Sequence, residues 1–171
     1  MAASTTVQET HGEAWQLALK LLTARSLSVA ELRRKLASRG TDSGTTEAVI
    51  QELKARGYLD DEKLSELYVQ GLIERKAYGR RWVFHKLLKR GINKQIIAAA
   101  LDKAFSGIGE SDLAFRAASS KLRRLQADEP QKRAAKLTRF LRNRGFSEDL
   151  VIQVVSERLS HGLDAEYEDG A

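Results

Sequence analysis

The chain has 171 residues, 42% of them hydrophobic and 30% charged, with no cysteine and a formal net charge of +6. The missing cysteines exclude disulfides, thiolate zinc sites and cysteine nucleophiles together, and fit a reducing compartment. No apolar run approaches the ~20 residues of a membrane span, and the first residues lack the basic start and apolar run of a signal peptide; a cytosolic protein is expected.

Residues 1–12 are small, polar and aperiodic, and disorder is expected there. From Glu13 a helical period starts, with Ala14, Leu17, Ala18, Leu21 and Leu22 on one face. Ser28 with Glu31 forms a capping box for a second helix, which runs to Arg39 and closes at Gly40. After a polar loop, Thr41 to Gly44, a third helix runs from about Thr46 to Arg56, with Val49, Ile50 and Leu53 inward. Asp60 caps a fourth helix whose apolar residues are Leu64, Leu67, Tyr68 and Leu72. Tyr78-Gly79 breaks it. The fifth helix, Arg80 to Arg90, turns Val83 and Leu87 inward with Trp82 or Phe84, and Asn93 caps a sixth that carries Ile96, Ile97, Ala100, Leu101 and Phe105. A seventh spans about Ser111 to Gln126. Asp128 is read as the cap of an eighth, with Pro130 in its first turn, and Ser147 as the cap of a ninth. No stretch alternates over strand length, so no sheet is expected.

A repeat organises these helices. The form Leu-x-x-Arg-Gly ends the second, fifth and eighth, at Leu36 to Gly40, Leu87 to Gly91 and Leu141 to Gly145, and an apolar residue precedes each leucine by four: Leu32, Val83, Leu137. Such a period points to an array of small similar units that share their apolar faces. The expected fold is all-α, three tandem three-helix repeats in an elongated array. The boundaries read as a disordered N-terminus at 1–12, repeats at 13–57, 58–106 and 110–162, and an acidic tail at 163–171.

Little in the chain could carry catalysis. His11, His85 and His161 lie far apart with no ligand partner at metal spacing, and no Gly-x-Ser-x-Gly or Walker sequence occurs. The run Asp60-Asp61-Glu62 could suggest a metal-dependent nuclease, but three acids at a helix start fit capping and dipole stabilisation better. No enzyme activity, no cofactor and no metal are expected. The basic residues are more informative. Residues 74–94 hold eight Lys/Arg against one acid, and residues 116–144 hold ten against two. Such a body attracts polyanions, nucleic acid first; the alternative is a solubilising surface. Arg39, Arg90 and Arg144 precede the three glycines, where a cation also favours the helix dipole. Arg80 and Arg81 oppose the dipole of a first turn, as do Lys132 and Arg133, which suggests an acidic or anionic partner. Tyr78 and Trp82 are candidates for base stacking or for the core.

Several stretches in order resemble the RecX family, bacterial regulators of the recombinase RecA. They are Ser28-x-x-Glu-Leu-Arg-Arg-Lys-Leu36, Gly57-Tyr-Leu-Asp-Asp61, Arg75-Lys-Ala-Tyr-Gly79 and Leu87-x-x-Arg-Gly-Ile92, with a looser match at Arg139-Phe-Leu-x-x-Arg-Gly-Phe146. The chain departs from the family at Ala77, where glycine is usual, and at Arg80, where proline is common. The resemblance implies three-helix repeats and a protein that binds the RecA nucleoprotein filament and limits recombinase, ATPase and SOS co-protease activity in DNA repair; a monomer is expected. The residues assigned to filament or DNA contact are Arg34, Arg39, Arg75, Lys76, Tyr78, Arg80, Arg81, Lys86, Lys89, Arg90, Lys132, Arg133, Arg142 and Arg144. The other reading is a tandem helical protein that acts on DNA directly, and weak direct DNA binding is compatible with both.

Overall fold

The computed structural model describes residues 2–164, and side chains from 10 to 160. The acidic tail expected at 163–171 lies, from residue 165 on, outside the described residues. Among the described residues there are nine helices and no strand: α1 (Ala2–Ala24), α2 (Val29–Ala37), α3 (Ser43–Ala55), α4 (Asp61–Lys76), α5 (Arg80–Lys89), α6 (Lys94–Gly107), α7 (Glu110–Leu122), α8 (Pro130–Asn143) and α9 (Glu148–Asp164). No helix among them is long and apolar enough to cross a membrane.

Each repeated end has one physical explanation. Gly40, Gly91 and Gly145 are left-handed, with φ of 86°, 80° and 79°. The amide after each glycine donates back to the motif leucine: Thr41 N to Leu36 O at 3.2 Å, Ile92 N to Leu87 O at 3.4 Å, Phe146 N to Leu141 O at 3.4 Å. This is the Schellman closure, and only glycine takes that backbone without strain. The leucines and their partners four residues earlier are fully buried. A fourth Leu-x-x-Arg-Gly, Leu53 to Gly57, ends α3 in the same way, with Gly57 at φ 71°.

Most caps stand where the sequence puts them. Ser28 and Glu31 form the full capping box. Asp60 accepts from Lys63 N at 2.9 Å, Asn93 from Gln95 N at 2.8 Å and Ser147 from Leu150 N at 3.4 Å. Other readings are corrected. Helix α1 begins at Ala2 rather than Glu13. Helix α3 begins at Ser43 because Asp42 caps it, accepting from Thr45 N at 3.0 Å. The N-cap of α8 is Glu129, not Asp128, because Pro130 takes the first helical position; the Asp128 carboxylate binds Lys136 at 2.7 Å instead. In α4 the buried positions are Ser65, Val69 and Ile73, while Leu67 is 67% exposed.

The chain divides into two compact units, residues 1–67 with 87–97 and residues 68–86 with 98–171. In the first, α1, α2 and α3 pack pairwise around Ala14, Ala18, Leu32, Leu36, Val49, Ile50 and Leu53. The end of α5 is docked on the start of α2. Ser28 Oγ donates to the Arg90 carbonyl at 2.6 Å, and Arg90 Nη2 donates to Glu31 at 2.8 Å and to the Ser26 carbonyl at 2.9 Å. Asp61 accepts from the first amide of α2, Val29 N, at 3.0 Å.

The second unit packs α7, α8 and α9 pairwise, with Leu113, Ala117, Leu137, Leu141, Val151 and Val154 buried. It repeats the docking: the end of α8 sits on the start of α5. Gly79 N donates to the Arg144 carbonyl at 2.8 Å. Glu110 accepts from the first amide of α5, Arg80 N, at 2.8 Å. The approach is so close that a Cβ on Gly79 would lie 2.7 Å from the Gly145 carbonyl oxygen, and one on Gly145 would lie 2.4 Å from Trp82 N. Just before this contact Ala77 has φ 48°. An L-residue there costs about 1–2 kcal/mol.

Candidate functional site

The second unit carries an open cleft of about 800 Å³. Its walls bring together the C-terminal turns of α4, α7 and α8. Seven cations line it, Arg75, Lys76, Arg116, Lys121, Arg123, Arg124 and Arg144, against one carboxylate, Glu74. Cations are favoured at helix C-termini, but each terminus offers only about half a negative charge. Three such ends and Glu74 leave the cleft strongly positive.

The cations are not equivalent. Arg116 donates to the Ile73 carbonyl at 2.8 Å. Arg144 lies over Phe140 at 4.6 Å and over Tyr78 at 4.8 Å, and Lys121 over Phe140 at 5.6 Å. Burial pushes the Arg144 pKa down, against the pull of Tyr78; the group stays cationic. Arg75, Lys76, Arg123 and Arg124 are exposed and have no ion pair among the described residues. A cluster of unpaired cations is self-repelling, and an anion relieves it.

Tyr78 and Trp82 stack on each other, 3.8 Å between centroids and 10° between planes. Lys86 covers the Trp82 ring at 4.8 Å. With Arg144 over Tyr78, both rings are already sandwiched between partners, which removes the open faces that base stacking requires.

Four of the residues assigned from sequence line the cleft: Arg75, Lys76, Tyr78 and Arg144. Arg116, Lys121, Arg123 and Arg124 were not assigned, although the charge count over 116–144 pointed to their segment. The others lie elsewhere. Arg80 reaches Asp102 and lies over Phe105 at 5.2 Å, so acids and an aromatic of its own unit answer its place in a first turn. Arg142 pairs with Glu148, and Lys132 with Glu129 at 3.0 Å. Arg133 donates to the Gln126 and Asp128 carbonyls at 3.2 and 3.1 Å, which closes the turn before α8. Arg81 and Lys86 are exposed on α5. In the first unit, Arg34, Arg39 and Lys89 are exposed, whereas Arg90 is 15% exposed and joined to Glu31. Burial alone would raise the Glu31 pKa; hydrogen bonds from Arg90 and from Ser28 N, with the charges of Arg90 and Arg25, hold it below the usual carboxylate range.

The acidic run is structural in its geometry. Asp60 caps its own helix, and Asp61 caps α2; burial pushes the Asp61 pKa up against the Val29 hydrogen bond and the Arg90 charge. Among the described residues no group of three or more His, Asp or Glu could hold a metal ion. His85 is exposed at the edge of Phe84.

Known proteins resemble the chain along most of its length. Models of the first, second and third three-helix domains of RecX match residues 14–53, 60–101 and 109–155. The regulatory protein RecX of Chlorobium limicola is 32% identical over 154 residues, 90% of this chain and 94% of that protein. That of Pelodictyon phaeoclathratiforme is 38% identical over 78% of this chain and 81% of its own length, and that of Mycobacterium avium 32% identical over 92% and 91%. The crystal structure of RecX from Lactobacillus salivarius has the same fold, with a TM-score of 0.75 at 20% identity over 88% of this chain and 97% of that one.

Proposed function

The chain belongs to the RecX family of regulatory proteins, and on that premise we propose that it binds the RecA–DNA filament and limits its recombinase, ATPase and SOS co-protease activities during DNA repair in the cytoplasm. The observation that carries this reading is the cleft in which seven cations face one carboxylate, Glu74, and four of them are exposed with no ion pair among the described residues. A nucleoprotein filament supplies the missing anions from acidic side chains, from phosphates or from both. Arg123 and Arg124 are the natural contacts. They follow the last turn of α7, Arg123 as its C-cap and Arg124 next in the chain, and a guanidinium binds carboxylate and phosphate alike in bidentate fashion.

The test is the single-stranded-DNA-dependent ATP hydrolysis of RecA, titrated with this chain. The expected result is inhibition at well under one copy per RecA subunit, weakened at least about tenfold by Arg123→Ala with Arg124→Ala, as the loss of two charge-assisted contacts predicts. Inhibition that begins only when the chain saturates the DNA would refute filament binding. It would move direct competition for DNA ahead, and the double variant would then flatten the salt dependence of DNA binding by about two phosphate contacts.

A further inference from the structure

The second unit carries a concentration of unpaired positive charge, and the same chain carries an acidic segment that follows its last helix. Arg75, Lys76, Arg123 and Arg124 stand exposed in the cleft with no ion pair among the described residues. The acids on the helices of that unit are largely committed. Asp102 meets Arg80, Asp128 meets Lys136, Glu129 meets Lys132 and Glu148 meets Arg142. Glu110 takes the first amide of α5. After α9 the sequence reads Ala165-Glu-Tyr-Glu-Asp-Gly-Ala171, with three carboxylates in four residues and no base.

The segment can reach the cleft. Helix α9 packs on α7, and Arg158 lies over the Phe115 ring at 5.2 Å. Phe115 immediately precedes Arg116 on the cleft wall. From Arg158 to Asp164 the helix rises about 9 Å. From Asp164 to Asp169 an extended chain covers up to about 18 Å. Were α9 to lead straight away from the cleft, the segment would still return to Phe115 with about 9 Å left, close to the ~10 Å from Phe115 to Leu122 along α7.

The chemistry matches as well. A guanidinium pairs with carboxylates in bidentate fashion. The cleft also accepts aromatic rings, since Arg144 lies over Tyr78 and Phe140, and Tyr167 sets such a ring between the acids. A tethered segment meets the cleft at an effective concentration of about millimolar, well above that of a dilute partner. Three carboxylates against four exposed cations leave the cleft positive, so a ligand with more anions can displace them. Resting on the reading of this cleft as the filament contact, we propose that Glu166-Tyr-Glu-Asp169 occupies it in the free protein and is displaced when the filament binds. The segment is then an internal competitor, which lowers the apparent affinity by the fraction of molecules whose cleft is open.

Two measurements on the full chain test this. The first is zero-length carbodiimide crosslinking of dilute protein in low salt, with the products mapped by mass spectrometry. A bond within one chain from Lys76 or Lys121 to Glu166, Glu168 or Asp169 is expected, independent of protein concentration and lost in about 0.5 M salt. Its absence in low salt overturns the proposal. Crosslinks that form only between chains assign the cleft to a second copy and overturn it too. The second is inhibition of single-stranded-DNA-dependent ATP hydrolysis by RecA, with Glu166→Gln, Glu168→Gln and Asp169→Asn combined. The half-inhibitory concentration is expected to fall about threefold to tenfold in low salt, as the loss of three exposed pairs predicts. In the background of Arg123→Ala with Arg124→Ala, the same triple change is expected to act less than about twofold. An undiminished gain in that background belongs to net charge rather than to the cleft and overturns the proposal, as does unchanged inhibition by the triple variant alone. A wild-type chain with no effect on ATP hydrolysis brings down the filament reading and the displacement with it, while the crosslink separately decides whether the segment sits in the cleft.

Discussion

Replacing Gly145 by alanine separates two demands that this glycine meets at once. The first is its φ of 79°, which costs an L-residue about 1–2 kcal/mol. A stiffer unfolded chain returns about 0.4–1 kcal/mol of that. The second is space: the new Cβ would stand 2.4 Å from Trp82 N and 2.6 Å from Trp82 Cβ. Backbone cannot rotate aside as a side-chain tip can, so the helices must part or strain. Overpacking of this kind costs about 1–3 kcal/mol, and losing the bond from Gly79 N to the Arg144 carbonyl adds about 1 kcal/mol. Gly40→Ala has the first cost without the second, since φ is 86° and the space around it is empty. The expected losses are therefore about 1 kcal/mol for Gly40→Ala and about 2–5 kcal/mol for Gly145→Ala. Each compact unit has one tryptophan, Trp15 in the first and Trp82 in the second. Urea unfolding by fluorescence in a Trp15→Phe background follows the second unit, and in a Trp82→Phe background the first, each against its own reference. If Gly145→Ala costs no more than Gly40→Ala at equal m-value, the docking of α8 on α5 is not tight, and the reading of the repeat as a docking end is wrong.

Glu31→Gln tests the electrostatics of the first docking. The carboxylate has a depressed folded pKa, so its contribution is present above its unfolded value near 4.5 and is lost as pH falls through the folded value. The gap between wild type and variant in urea midpoint is expected to be open at pH 7 and to shrink progressively below about pH 4.5; a gap that widens on acidification would refute the assignment. Ala77→Gly is expected to stabilise the second unit by up to about 1 kcal/mol, because relief of the left-handed strain exceeds the added freedom of the unfolded chain. A lower urea midpoint would contradict this.

What the sequence makes legible is local. A glycine four residues past a buried leucine announces a Schellman end, and a serine or aspartate just before an amphipathic run announces a cap; both depend on a few neighbouring residues. Asp42 gives no clear cap signal because Ser43-Gly44-Thr45 reads as loop, and Asp128 outranks Glu129 in the sequence because aspartate is the better cap when no proline intervenes. The face of α4 is ambiguous in sequence for a different reason. Leu64, Leu67, Val69, Leu72 and Ile73 spread around that helix, so periodicity does not choose between Leu67 and the true inward line of Ser65, Val69 and Ile73. Partners distant in sequence left no signal. Nothing near Glu31 says that it will meet Arg90, 59 positions away, and nothing near Val29 names Asp61. Arg123 and Arg124 were visible as charge but not as site, because the cleft exists only when three helix ends converge.

That contrast changes how the arginines should be read. By composition Arg90, Arg144 and Arg39 are one class, since each precedes the glycine of the same motif. By geometry they are three. Arg90 is enclosed with Glu31 and holds two helices together. Arg144 stands on aromatic rings at the wall of the cleft, so it is both structural and available to an anion. Arg39 has no partner among the described residues. Truncating Arg90 would take the nearer of two cations from the partly buried Glu31, leaving it only Arg25 at 3.3 Å, a larger penalty than losing an exposed charge. It would lower regulation through folding alone. A charge-neutralising scan scored only by activity would therefore rank Arg90 with the contact residues. Scored also by unfolding, the same scan separates them: a partner-facing arginine loses activity at constant stability, and on these contacts that behaviour belongs to Arg39, Arg123 and Arg124, not to Arg90 or Arg133.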